Sequence, residues 1–508
     1  MNTTPTFTLQ FAPETESLPL VCVMGMGFVG VAMATVIAAT RDTHSNPLYR
    51  VVGLDLPSQQ SRLAAIQAGQ LPFATEDAEF APALADAVLE TQNFCVSMDP
   101  AVLSKADIVV LDINLDIHKG ETPQDYTLKD RPFRKALDTL GTHLSPEALL
   151  LVETTVPPGF CRHVIAPTLS AAFKNRGLAQ EPLIAHAYER VMPGKNYLRS
   201  IREYYRTFSA LTPEAEARVT PFLNSIIATE KAPLYQAPSP EASELAKIME
   251  NAYRSVNIAF IYEWCLLAEK MQVNLFEVVK SIRVRHTHKN IMNPGFGVGG
   301  YCLTKDALLA QWSADHLYAS AHGLPFSLQA LRTNDQMPLH TVRRIQTERS
   351  REQLATATLL LLGVSYREDL GDTRFSPAEV FYQALKSDIQ NWHMHDPYVT
   401  HWDECPEVLW QSVEQGVPAA DIIVLGTRHQ DYLQRSPKDW LALARPGQLW
   451  VDANNILSDE SITSLLQHGV EVIGIGKGHI PQLKAQCKSQ LKSQPKQQPQ
   501  QLTPGETP

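Results

Sequence analysis

Short apolar runs, each closed by a glycine or an acid and followed by a helix-period stretch, recur along the chain. The first is LPLVCVMGMGFVGVAMATVIAA, a strand, a glycine turn and a helical pattern in succession. VVGLDL (51–56), ADIVVLDI (106–113) and ALLLVETTV (148–156) read as the next strands. Runs that are apolar throughout, rather than alternating, are what a parallel sheet buried on both faces requires. The same order returns towards the C-terminus, in TLLLLGVSY (358–366), IQNWHMHDP (389–397), ADIIVLGT (420–427) and GQLWVDANNI (447–456). ADIVVL against ADIIVL, and LLLVETT against QLWVDAN, are the matches that two similar halves would give. Two unrelated parallel sheets would also use such runs. Residues 238–271, beyond their opening prolines, carry no Pro or Gly and keep helical-period apolar positions, longer than an ordinary globular helix. The expected fold is α/β, with two Rossmann-like doubly wound parallel-sheet domains joined by a long central helix that also suits pairing with another subunit.

Composition narrows the function classes. At 508 residues, 44% hydrophobic and 19% charged, the chain is a packed globular protein of several domains. A net charge of −10 argues against a general nucleic-acid binder, which needs clustered Lys and Arg. Seven scattered cysteines without CxxC spacing fit free thiols in a reducing compartment, not a disulfide frame or zinc site. No apolar run is long enough to span a bilayer and MNTTPTFTLQ lacks a signal pattern, so a soluble cytoplasmic protein is expected.

The chemistry begins at Gly25-x-Gly27-x-x-Gly30, after a strand and at the opening of a helix. The first glycine makes the tight turn, the second lets backbone approach a pyrophosphate, and the third lets helix and strand pack closely. Phosphate oxygens then meet free N–H groups at a helix N-terminus. Asp55 ends the next strand, where a carboxylate accepts bonds from both ribose hydroxyls and repels a 2′-phosphate. NAD is therefore the expected cofactor, with Gly25, Gly27, Phe28, Val29, Gly30 and Asp55 in its site; a glycine turn that binds nothing is the alternative. The second half has Gly363 but no such triplet, so a different ligand is expected there. Expected boundaries are 1–17 for a flexible leader, 18–215 for the NAD-binding domain and 216–340 for a central helical domain. A second Rossmann-like domain follows over 341–480, then a disordered Gln/Pro/Lys-rich tail over 481–508.

Two further features carry chemistry. Lys247 and Asn251 lie four apart, on one face of the long helix, where an ammonium and an amide could hold an oxyanion; a solvated lysine and a polar interhelix contact are the plainer reading. PGFGVGGYCLTKD (294–306) places Cys302 beside four glycines, where a ligand can approach closely.

With these stretches the sequence resembles the UDP-glucose/GDP-mannose dehydrogenase family, the nucleotide-sugar 6-dehydrogenases, from about residue 20 to about 480. The resemblance rests on GMGFVG (25–30), ETTVPPG (153–159), YERVMPG (188–194), ELAKIMENAYR (244–254), GFGVGGYCLTKD (295–306), GVSYREDLGDTRFSPA (363–378) and HDPYV (395–399). It implies an NAD-dependent four-electron oxidation of a UDP-sugar C6 alcohol to a carboxylate, supplying uronic-acid sugar nucleotides for polysaccharide synthesis. Cys302 would form a thiohemiacetal with the intermediate aldehyde, and oxidation would leave a thioester for water to cleave. Carried over residue by residue, Lys247 and Asn251 hold oxyanions, Thr155 and Asp306 position water, and Glu189 is the general base. Thr155 and Glu153 approach the cofactor, with a surface carboxylate as the alternative for Glu153.

Substrate contacts fall on Arg190, Lys247, Asn251, Gly299, Tyr366, Arg367 and Arg374, and less strongly on Lys195. Arg367 and Arg374 would bind phosphate, or else pair with Glu368, Asp369 or Asp372 in their own turn. Expected partners are a UDP-sugar and a second copy of the chain, a homodimer or higher homo-oligomer, with no nucleic acid, membrane or metal. Departures from the family pattern are Asn114-Leu115-Asp116 where Thr-Pro is common, Tyr188 before Glu189, and Tyr301 before Cys302. RVRHTHKN (283–290) stands where some members place an arginine reaching across subunits. The ERVMPG form is closest in style to the UDP-N-acetylhexosamine dehydrogenases. A two-electron hydroxyacid dehydrogenase and a non-catalytic nucleotide-sugar sensor of the same fold are the other readings.

Overall fold

The computed structural model describes residues 7, 9–73, 75–120, 122, 125–191, 194–402, 404–405 and 412–493. The described residues of Met1–Tyr253 and Lys305–Gln329 form one compact unit, and those of Arg254–Thr304 and Ala330–Pro508 a second. Among them no helix is long and apolar enough to cross a membrane.

The first unit is built on β1 (Leu20–Met24), whose LVCVM run is buried at every position. Around it lie β2 (Arg50–Leu54), β3 (Phe94–Ser97), β4 (Ile108–Leu111), β7 (Leu149–Val152), β8 (Leu183–Tyr188), β9 (Thr207–Ala210) and β10 (Tyr235–Gln236), with β5 (Asp116–Lys119) and β6 (Tyr126–Lys129) as a separate antiparallel hairpin. The sheet order is β10-β9-β8-β7-β4-β1-β2-β3. Its pairings are parallel except β8 with β9. Cores line both faces, Val21, Val23 and Val51 on one and Cys22, Val52 and Val109 on the other, which is why these strands read as unbroken apolar runs. The turn after β1 leads into α1 (Phe28–Ala38). The sequence runs leave out β3, β8, β9 and β10. FCVS and TFSA are interrupted by serine or threonine, and β8 buries His186 within LIAHAY, so none of these three shows an unbroken apolar stretch.

Helix α2 (Pro240–Lys270) has 31 residues and passes from the first unit into the second. Pro240 opens it, where the missing N–H is no loss. Gln272, at φ +57°, closes it in the left-handed conformation that terminates helices. Helix α3 (Asp306–His316) belongs to the first unit and begins at Asp306.

In the second unit β11 (Thr358–Leu362), β12 (Asn391–His395), β13 (Ile422–Leu425), β14 (Leu449–Asp452) and β15 (Glu471–Gly474) form an all-parallel sheet in the order β12-β11-β13-β14-β15. This repeats β2-β1-β4-β7-β8, so ADIVVL and ADIIVL occupy equivalent places, as do LLLV and QLWV. Helix α4 (Pro377–Leu385) covers one face, over a core that includes Leu359, Leu361 and Phe381.

Two expectations at the termini change. Residues 9–17 of the leader pack: Ala12 donates from its N–H to Gln92 O at 3.1 Å, and Thr15 is fully buried. At the other end α5 (Ile480–Ser493) carries order past residue 480, because Ile480 and Cys487 are buried. Residues 1–6 and 8, and 494–508 of the expected tail, lie outside the described residues, as do Met192 and Pro193 of YERVMPG.

Candidate active site

In the first unit the strand order reverses between β1 and β4, the position where open α/β sheets bind ligands beyond the strands' carboxyl ends. Gly25 sits there at φ +105°, and a Cβ on it would lie 2.3 Å from Asp112 O. A Cβ on Gly30 would lie 1.8 Å from Gly25 O. Gly27, which caps α1, has nothing within 4 Å of its missing Cβ. Two glycines thus permit the turn and its packing, and the third leaves an open cradle at a helix N-terminus, which fits a pyrophosphate. Asp55 follows β2, and its carboxylate accepts from Met26 N at 2.9 Å and Leu56 N at 2.7 Å. It keeps acceptor capacity for ribose hydroxyls while fixing the turn. Phe28 is exposed at the cradle and packs on Phe73, and Val29 is half-buried. Asp55→Ala is expected to weaken NAD roughly 10- to 100-fold and to narrow its preference over NADP. Cofactor titrations that match the parent would take Asp55 out of the site.

At the ends of β4, β7 and β8 the first unit gathers three carboxyls and two cations. Glu153, after β7, is 2% exposed and ion-paired to the equally buried Arg206. This is neither a surface carboxylate nor a saturated one, since Oε2 has no hydrogen-bond partner. Burial pushes the Glu153 carboxyl up, against the pull of Arg206. Burial, with Glu153 and Glu189 nearby, lifts the Asp112 carboxyl well above the usual range. His186 on β8 is held neutral by burial, down to about 3, and its Nδ1 bonds to Ser243 Oγ at 2.7 Å.

Lys247 and Asn251 project from α2 one turn apart, each onto a different partner. Lys247 Nζ donates to Glu189 O at 2.8 Å and lies 3.6 Å from Glu189 Oε1. Tyr188, the departure before Glu189, is fully buried and forms a shelf, with Lys247 Nζ 5.6 Å from its ring centre. Asn251 Nδ2 donates to Asp306 Oδ2 at 2.7 Å, where α3 begins, and Lys305 Nζ stands 3.4 Å from Asp306 Oδ1. Lys305 also reaches Leu115 O at 3.5 Å, so the Asn114-Leu115-Asp116 departure packs beneath α3 and leads into the β5–β6 hairpin. Thr155 is half-buried on the 153–159 loop and Lys195 is exposed. Arg190 is engaged within the chain: Nε and Nη2 bond to Glu250, and Nη2 also to Tyr188 Oη at 2.8 Å.

The loop carrying Glu153 and Thr155 is tied to α2 by Glu244, which is 1% exposed and accepts from Gly159 N at 2.5 Å and Cys161 N at 2.9 Å. Burial outweighs these two bonds and pushes the Glu244 carboxyl up to about 7. A raised folded-state value means that stability present below pH ~4.5 is lost as pH climbs through about 7, by about 3 kcal/mol for a shift of this size. The unfolding midpoint is expected to fall between pH 5 and 8, and less steeply in Glu244→Gln. Identical slopes in the two proteins would assign the pH dependence elsewhere.

The second unit contributes Cys302, exposed, on a glycine loop that lies against the turn after β11. A Cβ on Gly299 would lie 2.5 Å from Tyr366 Cβ, and one on Gly300 2.7 Å from the Tyr366 ring. Gly297 faces Pro377 and Gly295 faces Asn454 in the same way. The glycines are therefore required first by close packing on this turn, a reason the sequence alone does not reveal. Arg374 is bound to Asp372, its Nη2 2.6 Å from Oδ2, the in-turn alternative. The Arg367 guanidinium makes no hydrogen bond or ion pair among the described residues. His286 and His288 are exposed, and among the described residues no group of His, Cys, Asp and Glu is placed to hold a metal.

A cavity of about 240 Å³ opens at this sheet's own reversal point, between β11 and β13; Tyr366 and Glu368 line it from one side, Thr427 and Arg428 from the other, and Asn293 and Asn454 complete it. Arg428 and Asn454 were not among the expected residues. Their signal was position alone, immediately beyond the strands ADIIVLGT and GQLWVDAN. Beneath the cavity Gly363 repeats the turn of Gly25 at φ +92°, and Asp396 stands where Asp55 does. Asp396 is buried, and its Oδ2 accepts from Val364 N, Ser365 N and Ser365 Oγ at 2.8–3.0 Å. Burial would raise its carboxyl, but His429 and the backbone N–H groups hold it below the usual value.

Sequence profiles of one family match the chain in three places: an NAD binding domain at residues 19–204, a central domain at 241–336 and a UDP binding domain at 360–459. The chain is 27% identical to the UDP-N-acetyl-D-mannosamine dehydrogenase of Methanocaldococcus jannaschii, over 87% of this chain and 93% of that one. Its fold is similar to that of the UDP-D-ManNAc dehydrogenase of Pyrococcus horikoshii, with a TM-score of 0.73 at 25% identity, covering 91% of this chain and 100% of the other. It also resembles an NDP-N-acetyl-D-galactosaminuronic acid dehydrogenase from Methanosarcina mazei, with a TM-score of 0.75 at 24% identity over 92% and 97% of the two chains. A glycine cradle at the switch point of one sheet, a cavity at that of the other and these three matched domains agree: the chain belongs to the UDP-glucose/GDP-mannose dehydrogenase family and is an NAD-dependent nucleotide-sugar dehydrogenase.

Proposed function

We propose that the protein oxidises the C6 hydroxyl of a UDP-N-acetylhexosamine to a carboxylate in two successive oxidations, the second on an adduct with Cys302, and so supplies a uronic-acid sugar nucleotide for polysaccharide synthesis. The observation that carries this is the exposed thiol of Cys302, four residues of chain before Asp306. A dehydrogenase that stops at the aldehyde or ketone needs no such thiol.

Bound NAD supplies the hydride acceptor for each oxidation, and Gly25, Gly27, Gly30 and Asp55 would hold it. Cys302 Sγ adds to the aldehyde carbon, and Lys247 Nζ and Asn251 Nδ2 donate to the oxygen that becomes negative in the tetrahedral adduct. The adduct keeps a C–H bond, so a second oxidation yields a thioester. Glu189, beside Lys247, takes the proton of the water that cleaves it, and Asp306 and Thr155 orient that water. Cys302 leaves as the thiol, ready for another cycle. Tyr366, Gly299 and Arg367 contribute to substrate binding. The N-acetyl preference is supported by the ERVMPG form and by the names of the relatives above. A panel of UDP- and GDP-sugars assayed for NADH release tests the whole reading: two NADH per UDP-N-acetylhexosamine are expected, and one NADH per substrate would end the thioester route.

The active form is a homodimer through α2. Phe260, Trp264, Leu267 and Met271 follow helical spacing and are 48–62% exposed, a stripe apolar enough to need covering. Trp264→Glu is expected to shift the sedimentation coefficient towards monomer; an unchanged value would exclude this stripe.

A further inference from the structure

We propose that Arg428 is the cation that binds the diphosphate of the nucleotide in the cavity of the second unit. The proposal rests on the nucleotide-sugar reading above and adds a contact that the sequence motifs do not supply.

Five arginines of this unit are committed to carboxylates: Arg344 to Glu269, Arg349 to Glu471, Arg374 to Asp372, Arg435 to Glu414 and Arg445 to Asp421, whereas Arg367 in the neighbouring turn is not. Arg428 is different. It lines the cavity, its Nε is buried without a hydrogen-bond partner, and its guanidinium makes no ion pair among the described residues. Glu368 lines the same cavity, and no ion pair joins the two among the described residues. A buried donor left unsatisfied is unfavourable, and a ligand that supplies the acceptor removes that penalty.

The chemistry of the side chain selects the acceptor. A guanidinium offers five donors in a planar fork and no acceptor, which matches two phosphate oxygens bidentately. A uracil edge alternates acceptor and donor, so a base would need an acceptor from the protein beside the arginine. The backbone that carries Arg428 is fixed on both sides. Thr427 Oγ1 donates to Ser365 O at 2.6 Å, and His429 Nδ1 accepts from Asp369 N at 2.9 Å. These two bonds lock the residue after β13 to the turn after β11, so the Tyr366–Glu368 wall and the arginine keep their spacing before any ligand arrives. The cavity's place at the reversal of strand order is where such sheets bind ligands.

The test uses the full chain and two probes, UDP and uridine, titrated into the parent, Arg428→Ala and Arg428→Lys; uridine is followed by ligand-observed NMR. UDP affinity is expected to fall roughly 30-fold or more in Arg428→Ala, with partial recovery in Arg428→Lys. Uridine should bind all three alike. NAD titration, which reads the first unit, should be unchanged and so excludes misfolding as the cause. UDP binding equal to the parent's in Arg428→Ala overturns the assignment, as do parallel losses for UDP and uridine, which would make Arg428 a base contact. A parent chain that binds no UDP at all overturns the nucleotide-sugar reading itself, an outcome distinct from the other two.

Discussion

Cys302→Ala is expected to lower formation of the sugar acid by at least about 10⁴-fold, the scale on which removal of a covalent nucleophile acts. NAD affinity should be retained, because the cradle at Gly25–Gly30 and Asp55 belongs to the other unit. The variant keeps every group needed for the first oxidation, so a trapped aldehyde or its hydrate should accumulate where the parent releases acid. Mass analysis of the products after a limiting dose of substrate reads both outcomes at once. Acid formed at the parent's rate would mean that no sulfur adduct lies on the path. Loss of both aldehyde and acid with NAD binding intact would place Cys302 in substrate binding rather than in the second oxidation.

The next largest effect is on stability. Arg206→Met is expected to destabilise the first unit by about 3–5 kcal/mol, because it strands the buried Glu153 carboxyl beside Glu189 and Asp112. Burial already pushes Glu153 up with Arg206 present, and loss of the guanidinium removes the pull against it together with a hydrogen-bond partner. Adding Glu153→Leu to Arg206→Met should restore much of the loss, since replacing both partners removes the stranded charge. Thermal unfolding of the two singles and the double measures the coupling. A single variant within ~0.5 kcal/mol of the parent, where ordinary surface changes fall, would mean that the pair contributes little.

Much of the architecture was legible because parallel strands buried on both faces leave long apolar words. β1, β11 and their neighbours are such words; β3 and β9, FCVS and TFSA, carry serine or threonine within their four residues and do not stand out. The extent of α2 was equally readable, since a proline opens it and no breaker follows until its end. Partners were another matter. The four-residue spacing puts Lys247 and Asn251 on one face, but Glu189 comes from the end of β8 and Asp306 from the start of α3, and no local pattern joins them. Arg374 met the carboxylate two residues away, an outcome the sequence allowed but could not rank. Glu153 met Arg206, 53 residues on, because β7 and β9 flank β8. Arg428 carried no motif, and its interest lies in the hydrogen bonds it lacks, which only the folded neighbourhood defines.

The acid at the tip of the second strand has opposite fates in the two sheets. Asp55 holds its turn with two backbone bonds and is only half-buried, with acceptor capacity left for an adenosine sugar; Asp396 is turned inward, its oxygens saturated by the chain's own amides, a serine and an imidazole. The later sheet therefore has no spare carboxylate at this tip to offer a ribose. The two ligands, alike in their diphosphates, need not compete for one another's seat.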